Sequence, residues 1–172
     1  MKRTLILTFS LLALFFTACD DDNIDQSEGK VEIYLITQSQ KDTNGGYINE
    51  HSVKTEEKAF IAYNDLITYN KTTHTFQISE KAKTAIKALP QDGHATEFAI
   101  KVNNQTIYAG HLWASYSSAM CIGYSSDPIS AIYSKKLNIQ FRTPMNVNTV
   151  VKDKRNDQLI LDIFEADNKL RD

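Results

Sequence analysis

The chain has 172 residues, with 19 lysines and arginines against 21 aspartates and glutamates and a net charge of −2. That mild, evenly mixed acidity excludes the basic face through which nucleic-acid-binding domains neutralise phosphates, so no nucleic-acid partner is expected. The length suits one folded domain burying about 70% of its unfolded surface around a single core.

The first element in chain order is Met1-Lys2-Arg3 followed by an uncharged run from Thr4 to Ala18, TLILTFSLLALFFTA. A positive head and about 15 apolar residues have the layout of a secretory signal peptide and fall short of the roughly 20 that a spanning helix needs. The run ends at Leu14-Phe15-Phe16-Thr17-Ala18-Cys19, small residues directly before a cysteine. This resembles a bacterial lipobox, which implies that residues 1–18 are a removed signal peptide and that Cys19 is lipidated. Each buried methylene contributes roughly 0.8 kcal/mol, so one acyl chain binds reversibly while two or three anchor a protein to the bilayer. Asp20, Asp21 and Asp22 follow at once, where an anionic leaflet would repel them. The acidic run is similar to the surface-export signal of lipoproteins from Bacteroidota; the alternative is an ordinary solvated tether. Residues 19–30 are read as the lipidated cysteine and an acidic flexible tether, and residues 31–172 as a single domain.

Within that domain, VEIYLIT (31–37) alternates with period two and predicts a strand. The polar stretch 38–57, with Asn44-Gly45-Gly46, predicts a long loop with a short hairpin at the glycines. Alternation in His74-Thr75-Phe76-Gln77-Ile78 predicts a second strand. Ser79 is then a helix cap, with Ala82, Ala85, Ile86 and Leu89 as one apolar stripe that Pro90 and Asp92-Gly93 terminate. Phe98, Ile100 and Val102 alternate before Asn103-Asn104, and Ile107, Ala109, His111 and Trp113 alternate after it, the pattern of a hairpin. Residues 114–130 are rich in serine and predict a loop. AIYSKKLNIQF (131–141), in which Leu137, Ile139 and Phe141 alternate, predicts one or two further strands. Asn156 or Asp157 caps a C-terminal amphipathic helix carrying Leu159, Ile160, Ile163, Phe164, Ala166 and Leu170.

This order predicts an α+β fold, a mostly antiparallel sheet with two amphipathic helices on one face, in its simplest form a split βαβ, ferredoxin-like arrangement. The segment THTFQISEKAKTAIKAL followed by FAIKVNNQTIYAG is similar in layout to the periplasmic ferredoxin-like head of SecD. The resemblance implies a fold at most and no secretion activity, because the chain lacks the transmembrane helices of that family. The whole chain also resembles outer-membrane lipoproteins of Bacteroidota.

Chemistry-bearing motifs are sparse. His51, His74, His94 and His111 are scattered, and HExxH, CxxC, G-x-S-x-G and a phosphate loop with its lysine are all missing. No metal, cofactor or catalytic step is therefore expected. With Cys19 lipidated, Cys121 has no intramolecular partner and is either a small buried hydrophobe or a reactive thiol. His111 is read as a satisfied, partly buried imidazole. Tyr108, Trp113, Tyr116, Tyr124 and Tyr133 cluster in sequence near Asn103, Asn104, Gln105 and the serines. Trp113, Tyr116 and Tyr124 form the candidate surface for a glycan or protein ligand, the alternative being that these rings fill the core. The expectation is a lipid-anchored cell-envelope lipoprotein on the outer membrane, a surface-exposed, non-enzymatic binding or accessory module. Its alternative is a periplasm-facing structural or assembly factor of the outer membrane.

Overall fold

The computed structural model describes residues 29–41, 47–90, 95–118, 120–143 and 151–172. The predicted signal segment, Cys19, the three aspartates, the predicted turns at Asn44-Gly45-Gly46 and Asp92-Gly93, and His94 lie outside these residues. No helix of the described residues is long and apolar enough to cross a membrane.

The fold is α+β, with two mixed, mostly antiparallel sheets and three helices among the described residues. In the first sheet, β1 (Val31–Gln38) lies between β2 (Lys54–Thr55) and β5 (Thr96–Val102), followed by β6 (Gln105–Leu112), β7 (Gly123–Ser126) and β9 (Gln140–Arg142). The second sheet orders β10 (Leu170–Arg171), β3 (Leu66–Asn70), β4 (Thr75–Ile78) and β8 (Lys136–Asn138). Neighbours run antiparallel except β6 with β7 and β10 with β3.

Two sheets replace the single sheet that the sequence predicts, and the helix α1 (Glu80–Ala88) links β4 in one to β5 in the other. It therefore does not cross over between strands of one sheet, as a split βαβ unit requires. The physical reason is β3, hidden in the mixed run LITYN, which pairs with β4 and starts a second layer. The predicted loop at 114–130 likewise contains β7 and the start of α2 (Pro128–Ser134), so Ala131 to Ser134 are helical where a strand was expected.

Local chemistry accounts for the boundaries. The Ser79 hydroxyl accepts from the Ala82 N–H at 3.1 Å, and Ala82 and Ile86 on the same stripe of α1 are buried. Asp127 accepts from the Ile129 N–H at 3.0 Å, and Pro128 starts α2 where its missing N–H costs nothing. Asp157 accepts from the Leu159 N–H at 3.1 Å to cap α3 (Gln158–Ala166), which turns Ile160, Ile163 and Phe164 inwards. Leu170, expected on that helix, instead lies on β10: Asn168, with φ of 55°, reverses the chain, and the tail pairs with β3.

Asn103 and Asn104 both take positive φ, 48° and 68°, the backbone of a two-residue type I′ hairpin joining β5 to β6. Ile100 pairs with Tyr108 but Lys101 with Thr106, so Ile107 is an extra residue in β6. The bulge sends Ile107 into the main core, while Ala109 packs with Ala99 and Ile48 in a smaller cluster. These two residues were expected to share a face, and the extra residue separates them. The main core draws on both sheets and all three helices. Tyr69, Phe76 and Phe164, all fully buried, stack there with ring centroids 4.5 to 5.8 Å apart.

Candidate ligand-binding site

Register sorts the first sheet into two faces, because adjacent residues of a strand point to opposite sides. Phe98, Gly110, Tyr124 and Phe141 are successive partners across β5, β6, β7 and β9. This row belongs to the core side. A Cβ on Gly110 would sit 2.7 Å from the Tyr124 Cβ, so only glycine allows β7 to approach this closely. One residue along, Glu97, His111, Ser125 and Gln140 are also successive partners, and this polar row faces away from the core.

The polar row is the floor of the candidate site. His111 and Cys121 are each only 6% exposed, with the Cys121 Sγ 3.7 Å from Nδ1 of His111. On the other edge of the ring, Nε2 lies 3.6 Å from a Glu97 carboxylate oxygen, and the second oxygen accepts from the Ser39 hydroxyl at 2.5 Å. Burial pushes the His111 imidazole below its ordinary range; the Glu97 carboxylate pulls it back and the Lys41 charge depresses it further. Burial also pushes the Cys121 thiol up, against the Ser125 hydrogen bond and the Arg142 and Lys41 charges. Both shifts favour a neutral thiol beside a neutral imidazole.

Above this floor the loop from Trp113 to Ile122 opens two hollows, both lined by Trp113 and Cys121. One, of about 150 Å³, adds Ser115, Ser117, Asp127, Gln140 and Arg142 among its walls. The other, of about 210 Å³, adds Lys41, His111 and Met120. Trp113 stands between them, edge-on to His111 at 6.3 Å and 87°. A wider groove of about 630 Å³ lies beside α1, but its Asp65 is already engaged by the Ser79 hydroxyl at 2.7 Å and the Lys81 ammonium at 2.9 Å. Those pairings fasten the helix start, and the rest of that groove is mainly acidic, with Glu32, Glu56 and Glu57 beside Lys58 and no tryptophan. Among the described residues no three potential metal ligands converge.

The three aromatic residues predicted to share a surface take three different positions, and of them Trp113 alone lines the hollows. Trp113 is half-buried at the hollows, and Tyr116 on the same loop is 61% exposed. Tyr124 is instead a core residue at 6% exposure, stacked 4.4 Å from the Tyr108 ring and 4.7 Å from the Phe141 ring. Its hydroxyl accepts from the Lys154 N–H at 2.8 Å and fixes the segment leading to α3. It sits on the wrong parity of β7 to reach the hollows, the smaller of which takes Ser125 instead. Glu97, Gln140 and Arg142 were not anticipated as site residues. Counting outwards from Asn103-Asn104 would have put Glu97 opposite Gly110, and only the bulge moves it to His111.

No protein-family model, no curated protein and no solved structure matches the chain. An α+β domain with a small polar cleft beside one strand-end tryptophan is thus the class that the geometry itself defines.

The division of the aromatics has a direct consequence. Tyr124→Ala should lower the stability to unfolding by about 3–5 kcal/mol, as truncation of a buried aromatic does. Tyr116→Ala should change it by no more than about 0.5 kcal/mol. Urea titration of both variants checks this; equal effects would put Tyr116 in the core too.

Proposed function

We propose that the chain is a lipid-anchored cell-envelope lipoprotein, held at the outer membrane through Cys19 and displayed outwards, whose domain is a non-enzymatic binding module for glycan ends. The pair of hollows flanking Trp113 is the observation that carries the ligand reading. An indole face stacks on the C–H face of a sugar ring, while planar Gln140 and Arg142 and the serine hydroxyls suit vicinal hydroxyl groups. Each hollow is smaller than the roughly 300 Å³ at which drug-sized pockets begin, so each admits a single ring or chain terminus. The apolar run ending at Cys19 and the three aspartates after it support the anchor and the outward display. A protein partner is the second reading, favoured by the exposed side chains of Tyr116 and Met120 in the segment after β6.

Trp113 is the only tryptophan in the chain, so its fluorescence reads the site without labelling. Titration with a panel of neutral and acidic oligosaccharides should give a saturable change that Gln140→Ala and Arg142→Ala each weaken at least tenfold, with an unaltered unfolding midpoint. A panel that leaves the emission unchanged, or binding indifferent to both substitutions, would remove the glycan reading.

The display is tested separately, by protease shaving of intact cells carrying an epitope-tagged chain. The native tag should be lost, and a version with Asp20, Asp21 and Asp22 changed to alanine should be protected. Protection of both would turn the protein to face the periplasm, as an envelope assembly or structural factor.

A further inference from the structure

The floor of the cleft carries an arrangement that reversible binding does not use. Cys121 and Glu97 lie on opposite nitrogens of the His111 ring, 3.7 Å and 3.6 Å away. Through that ring they cannot converge on one metal ion. They stand instead in line: a nucleophile, a base that can take its proton, and a carboxylate that orients the base. The orientation comes from the sheet itself, since Glu97 and His111 are directly opposed across β5 and β6, and the Ser39 hydroxyl holds the far carboxylate oxygen at 2.5 Å. Both contacts are slightly longer than a hydrogen bond, as is common where such sites hold no substrate. Cys121 lines both hollows and His111 lines one, so a seated ligand reaches thiol and base from the same space. Arg142 on one side and Lys41 on the other place positive charge near a developing oxyanion.

We propose that Cys121 is an acyl acceptor, which captures the acyl group of an ester-bearing ligand as a thioester with His111 as the base and Glu97 as its positioning residue. The Cys121 sulfur attacks the ester carbonyl carbon while its proton passes to Nδ1 of His111, and the Nε2–H remains directed at Glu97. The sulfur–carbon bond forms and the carbon–oxygen bond to the alcohol breaks. His111 then returns the proton to the departing oxygen, so the products are the thioester on Cys121 and a free alcohol, with no further reactant. The neutral pair favoured by burial suits this course, because the imidazole is free to accept a proton at neutral pH. This goes beyond the binding reading and does not depend on the ligand being a glycan.

The test uses the purified full chain with p-nitrophenyl acetate as the probe. Release of p-nitrophenolate should show a burst approaching one equivalent, with the acetyl group mapped by peptide mass to Cys121 in preference to Cys19 and the lysines. Cys121→Ala should abolish the burst, and His111→Gln, checked for folding by circular dichroism, should slow it on the order of 100-fold. Glu97→Gln should keep Cys121 as the acceptor but move the pH midpoint of the burst rate downwards, since the carboxylate no longer favours the imidazolium. Acetyl groups spread over Cys19 and lysines at a rate indifferent to Cys121→Ala would overturn the proposal, as would an unchanged rate in folded His111→Gln. Should His111→Gln fail to fold, an unmoved midpoint in Glu97→Gln overturns it instead.

Discussion

The pairing of β5 with β6 is the constraint on which the rest of this molecule depends. Two asparagines with positive φ close the hairpin, and one bulged residue, Ile107, then offsets every pair beyond it. Because side chains alternate across a strand, a shift of one residue would exchange the two faces of the sheet. Gly110 would leave the core row of Phe98, and Glu97 would meet Gly110 instead of His111. The bulge thus decides at once which residues are buried between the sheets and which line the cleft.

From β6 the same register propagates through the parallel partner β7 to β9. Gly110 permits the close approach, and Tyr124 fills the space, stacking between Tyr108 and Phe141. The Tyr124 hydroxyl also receives the Lys154 N–H, which ties the segment before α3 to the sheet. Beside it the Tyr69 hydroxyl donates to the Arg155 carbonyl at 2.7 Å, and burial holds both phenols well above their usual range. These aromatic hydroxyls are therefore structural fastenings of the interior. The cleft is built on their reverse side, from the shorter polar residues of the neighbouring row.

Much of this was legible in the sequence wherever a local rule is strong. Ser79 as a cap, the stripe of α1, the Asn103-Asn104 turn and the start of α3 at Asp157 each follow from chemistry confined to a few residues. What escaped depends on distant partners. β7 reads as a serine-rich loop because GYSS has no apolar alternation, yet all four residues are buried between β6 and β9. β3 and β10 are stabilised chiefly by each other and by β4, which no periodicity announces. Asp127-Pro128 was a legible helix start that the surrounding serines obscured. For the site, Trp113 and Tyr116 stood out as aromatic residues in a polar segment, and Tyr124 did so for the same reason although it is a core ring. Glu97 and His111 could not be joined without knowing the bulge.

The most direct test of the account is an NMR titration of the His111 ring in the native chain and in Glu97→Gln. If β5 and β6 pair as described, the imidazole midpoint lies below the ordinary value of about 6.5 and falls further when the carboxylate is neutralised. An ordinary midpoint that ignores the substitution would contradict the register, and with it the row of side chains from which the cleft is made.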